Sequence, residues 1–153
     1  MSLQATTLNS MQGVETSGHT PPLRWPDHLK NASSLARLLF GIPLLGRDMR
    51  AYRRFREQVR QRPATCCLEW DADPAVCKVR DQICHVLVED MDWPLPNFVP
   101  DDPCAILFFD PTIDIKAGTA MDKVRKICGC DDGVILGMTI GKLVELAAGR
   151  SNI

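Results

Sequence analysis

Five prolines (Pro94, Pro96, Pro100, Pro103 and Pro111) fall between two stretches of helical periodicity. Proline removes a backbone donor and collides with the preceding turn, so no helix or central strand runs through that region. The sequence therefore predicts a connection of more than 20 residues between two helices. A connection that long inside a compact domain has to be packed in its own right. Phe98, Ile106 and Phe108 supply the apolar plugs, and the run 105–109 is too apolar for a surface loop.

The flanks read clearly. Asp73-Pro74 is a helix start, with aspartate as the cap and proline in the first turn. Val76, Val79, Ile83, Val86 and Leu87 then recur at helical spacing, with Cys84 alongside, to about Met91. After the prolines, Ala117, Ala120, Met121, Val124, Ile127 and Cys128 form a second stripe. Asp114 stands in the N-cap position, and Gly129 follows where a left-handed helix end favours glycine. A short irregular or helical piece is expected over 131–136. Thr139 then caps a last helix over 140–148, stopped by Gly149.

Upstream, residues 1–24 are rich in Ser, Thr, Gly and Gln and read as a disordered tail. A largely buried helix is expected from Trp25 to Phe40, ended by Gly41 and Pro43, with a hinge at 44–46. Residues 48–60 form a basic amphipathic helix with Met49, Tyr52, Phe55 and Val59 as its stripe. Pro63 breaks it, and residues 65–70 read as an extended link rather than a strand. The fold class expected is all-α: a tail (1–24), a two-helix N-terminal arm with its link (25–72) and a helical domain (73–150).

Net charge is -1, which argues against whole-molecule attraction to nucleic acid, but the charges are segregated. Residues 47–62 carry seven arginines against Asp48 and Glu57, a net of +5. Residues 69–114 carry eleven acids against Lys78 and Arg80, a net of -9. Such polarity is a solvated face, intramolecular glue or a docking face, and Arg47, Arg50, Arg53, Arg54, Arg56 and Arg60 are the candidates for docking. No apolar leader core precedes residue 24. The run 35–45 is broken by Arg37, Gly41 and Pro43 and falls far short of the ~20 residues of a spanning helix, so a cytoplasmic protein is expected.

Catalytic signals are sparse. The seven cysteines show no C-x-x-C spacing and read as reduced, buried thiols. A zinc site from Cys128, Cys130 and His85 is the weaker alternative. The histidines are His19, His28 and His85, and no nucleophile elbow or phosphate loop occurs. Asp101, Asp102, Asp110 and Asp114 lack calcium-loop spacing and read as caps and turn residues. No metal and no enzymatic activity are expected.

From Asp73 onward the order is long helix, long structured connection, amphipathic helix, short piece, final helix. This order resembles the acyl carrier protein family, the phosphopantetheine-binding four-helix domain, over about residues 74–149. Three passages carry the resemblance: residues 79–91, residues 117–129 with their Ile127-Cys128-Gly129 end, and Met138-Thr139-Ile140-Gly141-Lys142-Leu143-Val144. The resemblance implies an arm-bearing serine at the start of the second helix. Counting back from Gly129 places Asp114 there, in Ile113-Asp114-Ile115. A carboxylate cannot accept the arm, and the nearest hydroxyl is Thr112. No serine lies between Ser34 and Ser151. The second helix is also basic outward (Lys116, Lys123, Arg125, Lys126), where carriers present an acidic face.

The function expected is a non-catalytic, carrier-like adaptor that lacks the phosphopantetheine arm, needs no cofactor and docks a protein partner. The alternatives are binding of an anionic surface (nucleic acid or lipid) through the arginine helix, and a working carrier modified at Thr112 or another non-standard residue.

Overall fold

The computed structural model describes residues 18–26, 45–111 and 115–151, with side chains described over 18–26, 49–111 and 115–149. Helices dominate, as expected, and no strand occurs among the described residues. They are α1 (Leu45–Gln61), α2 (Pro74–Met91), α3 (Cys104–Leu107), α4 (Ile115–Cys128), α5 (Asp132–Leu136) and α6 (Ile140–Ser151), with a 3-10 turn over Ala64–Glu69. None of them is long and apolar enough to cross a membrane.

α2 is the hub, packing against both α4 and α6, which also touch each other. Its start is the one expected: Asp73 accepts from the Ala75 and Val76 amides, and Pro74 opens the first turn. Val79, Ile83, Val86 and Leu87 face the core, with Ile83 and Leu87 fully buried. The matching stripe of α4 buries Ala120, Met121, Val124 and Cys128. Gly129 ends α4 at φ 64°, a conformation that costs glycine little. Its amide closes onto the Arg125 carbonyl at 2.7 Å.

The proline-rich connection is packed, with Phe98, Val99, Ile106 and Leu107 almost fully buried. Part of the apolar run is helical, as α3. Two indoles fasten the connection: Trp70 Nε1 donates to the Phe98 carbonyl at 2.8 Å, and Trp93 Nε1 to the Leu107 carbonyl at 2.9 Å. The connection also starts α6. The Ile140 and Gly141 amides donate to the carbonyls of Asp102 (2.9 Å) and Pro100 (2.8 Å), satisfying helix donors that have no partner inside the helix. Thr139 caps as expected, its Oγ1 accepting from the Lys142 amide at 3.4 Å.

Several expectations need correction. Residues 65–70 are not extended: Pro63 starts a 3-10 turn that tucks Cys66 inward and leaves Leu68 78% exposed. The basic helix begins at Leu45, so Gly46 lies inside it rather than in a hinge. Ala51, Phe55 and Val59 are its buried residues, whereas Met49 and Tyr52 are half-buried. α6 continues through Gly149 to Ser151, because Gly149 stays helical and no left-handed stop forms. Residues 18–24 are not tail: Thr20 and Leu23 are buried, Leu23 at 2% exposure. The expected helix from Trp25 to Phe40 falls, from residue 27 onward, outside the described residues.

Candidate functional site

α1 holds most of the arginines named as a docking face, and the fold divides them. Arg50, Arg53, Arg54 and Arg60 are exposed. Arg60 bonds Glu57 at 3.1 Å, and Gln61 takes the other Glu57 oxygen at 3.0 Å. Among the described residues, Arg50, Arg53 and Arg54 form no ion pair. They lie three and four residues apart and therefore share one outward turn of the helix. The Arg47 side chain is outside the described residues.

Arg56 turns the other way. Its guanidinium lies 3.3 Å from the Tyr52 ring centroid and 4.5 Å from that of Trp93. Its Nη2 donates to the Met91 carbonyl, the last of α2, at 2.5 Å. A cation at that end also complements the α2 dipole. Burial pushes the Arg56 pKa down and that of Tyr52 up, while Asp110 and Asp92 support the charge on Arg56. Arg56 is therefore engaged within the fold.

Arg62 is buried outright. It forms a two-pronged pair with Asp102, whose side chain is 0% exposed. The remaining lone pairs of Asp102 accept from the Leu23 amide and the Val99 amide, both at 2.9 Å. Arg62 also donates to the carbonyls of Asn97 (3.0 Å) and Pro21 (3.1 Å). The sequence reads Asp102 as a cap or turn residue, and that reading misses its charge pair. A signal is present all the same: Phe55, Val59 and Arg62 are spaced i, i+4, i+7, so the arginine continues the apolar stripe. A buried guanidinium requires a carboxylate nearby.

Two acids of the acidic half pair with lysines of α4. Lys116 pairs with Asp92 at 2.9 Å and Lys123 with Asp90 at 2.8 Å. Asp101 lies 3.5 Å from His19 Nε2, and Glu69 lies 3.2 Å from His19 Nδ1. Asp114 and Thr112 lie outside the described residues.

Four of the seven thiols are poorly suited to nucleophilic work. Burial pushes Cys84 and Cys104 up to about 12, and raises Cys66 and Cys128. Cys67 is exposed and Cys77 half-buried. Cys130 bonds the Cys128 carbonyl through its Sγ at 3.6 Å. Among the described residues no group of three His, Cys, Asp or Glu side chains is placed to hold a metal ion. A groove of about 300 Å³ is lined by Asp81, Cys84, His85, Val88 and Pro96. Its aspartate is held by Arg80, and its cysteine is the buried, weakly acidic Cys84.

Comparison of the chain with protein-family models, with curated proteins and with solved structures finds no match.

Proposed function

We propose that the chain is a non-catalytic binding module, carrier-like in helix order, that docks an acidic protein partner through the outward arginines of α1. The observation that carries this is the division of the α1 charges. Arg56 and Arg62 are used inside the fold, whereas Arg50, Arg53 and Arg54 point outward. The acids Asp90 and Asp92 are engaged by the lysines of α4. Guanidinium groups suit carboxylates because their donors match both oxygens at once.

The carrier-like part of the proposal is supported by the mutual packing of α2, α4 and α6, with short α5 between the last two in sequence. Asp114, at the position of the carrier serine, has no hydroxyl to accept an arm. Two experiments test the proposal. Intact mass after incubation with coenzyme A and a broad phosphopantetheinyl transferase should be unchanged. A mass gain makes the protein a carrier, with Thr112 the first residue to check. In parallel, an oligo-glutamate peptide, duplex DNA and anionic vesicles are titrated at low salt against the native chain and a variant with Arg50, Arg53 and Arg54 changed to Glu. Peptide binding lost in the variant supports docking. DNA or vesicle binding that falls steeply with salt makes the surface a polyanion site instead. No binding to any probe leaves the arginines as a solvated face.

A further inference from the structure

Residues 20–25 lie against the helical domain as a bound peptide would. They form neither helix nor strand. Thr20 and Leu23 are buried, Pro21 and Arg24 exposed, and Pro22 half-buried. Burial three residues apart, around Pro21-Pro22, matches the three-residue turn of a polyproline helix, which has no internal hydrogen bonds. Its backbone groups bond to side chains instead. The Thr20 amide donates to Glu69 Oε1 at 2.7 Å, and the Leu23 amide to Asp102 Oδ1 at 2.9 Å. The Pro21 carbonyl accepts from Arg62 Nη2 at 3.1 Å. Beyond the leucine, Trp25 stacks edge-on against Phe55 (5.5 Å) and Phe109 (5.1 Å).

Two of the three groups that bind this backbone are positioned by other contacts. Asp102 is held by the Val99 amide as well as by Arg62, and Arg62 also bonds the Asn97 carbonyl. Proteins recognise extended peptides through main-chain hydrogen bonds with pockets for spaced side chains, and proline-rich ones in aromatic-lined grooves. Preset groups lower the cost of binding.

We infer that this channel is a recognition groove for an extended Pro-Pro-containing peptide, which the chain fills in cis with its own residues 20–25. A protein partner displaces them with a segment of the same spacing: two prolines, a leucine-sized side chain directly after, and an aromatic ring two residues further. The resident segment defines the chemistry of its competitor, because the groove reads backbone groups and two apolar anchors. The groove makes no use of Arg50, Arg53 or Arg54.

The test uses the 153-residue chain and a fluorescently labelled peptide with the sequence of residues 18–26. The native chain's apparent affinity is the intrinsic affinity multiplied by the fraction of time the segment leaves the groove open. The Leu23→Ala chain, with its resident weakened, should therefore bind the peptide at least about tenfold more tightly than the native chain does. A peptide with alanine in place of its leucine should bind neither. Equal binding to both chains, or none to a folded Leu23→Ala chain, overturns the inference. A native dimer by light scattering whose segments exchange between copies also overturns it, since the occupant is then a second copy. If Leu23→Ala does not fold, amide exchange of the native chain decides. Release of the segment without global unfolding predicts that the Thr20 and Leu23 amides exchange about 100-fold faster than that of Ile83. Exchange at a common rate overturns it.

Discussion

Arg62 and Asp102, forty residues apart, face each other across two hydrogen bonds, Nη1 to Oδ2 at 2.6 Å and Nη2 to Oδ1 at 2.7 Å. The pair joins four parts of the chain: the end of α1, the proline-rich connection, the 20–25 segment and, through the Asp102 carbonyl, the first turn of α6. Removing one member strands a charge in the interior. Asp102→Ala or Arg62→Met is expected to cost about 3–5 kcal/mol in urea unfolding. Replacing both with apolar residues should recover only part of this, because the Leu23 and Val99 amides lose their acceptor. A loss below about 1 kcal/mol in either single variant would show that the pair contributes little.

Gly141 has no room for a side chain. A Cβ there would lie 2.7 Å from Pro100 Cβ and 2.8 Å from the Pro100 carbonyl oxygen. Gly141→Ala should therefore destabilise by about 1–3 kcal/mol even though alanine is the better helix former. Gly118, on the exposed side of α4, has nothing within 4 Å of the place a methyl group would take. Gly118→Ala should raise stability by up to about 1 kcal/mol. Opposite shifts in melting temperature for the two glycines are the expected result.

Glu69 sets an acid limit on the 20–25 segment. Burial would raise its pKa, but the hydrogen bonds from Thr20, helped by the His19 and Arg62 charges, hold it below the ordinary 4.5. The unfolded chain then binds more protons than the folded one, so stability rises with pH in this range. The contribution is complete above the ordinary carboxylate value and lost as pH falls through the depressed folded value. Glu69→Gln should flatten the melting temperature against pH below about 4.5. An unchanged slope would assign the acid sensitivity to other carboxylates.

Thiol reactivity should follow position in the fold. Cys67 is exposed and should react first with a disulfide reagent at pH 8. Cys84 and Cys104, pushed up to about 12, keep a thiolate fraction on the order of one in ten thousand there. They should react only at the rate of unfolding. Early labelling of Cys84, mapped by peptide mass, would contradict its placement.

The sequence by itself determined the helices whose signals are local. Asp73-Pro74 and the stripe through Leu87 define α2, the stripe from Ala120 to Cys128 with Gly129 defines α4, and Thr139 marks the start of α6. Caps, prolines and 3.6-residue periodicity act within a turn or two, so neighbouring residues suffice to read them. The packed connection was also legible, because aromatic and branched residues among prolines have nowhere else to go. What only the tertiary structure decided was which charges meet. Arg56, Arg60 and Arg62 look alike in a run of arginines, yet one caps α2, one bonds its neighbour Glu57 and one is buried with Asp102. Asp101 and Asp102 are adjacent, but only Asp102 is enclosed. Residues 20–25 carry no periodic signal of their own. Their order comes from Glu69, Arg62 and Asp102, side chains 40 residues or more away, and a local pattern holds no record of such partners.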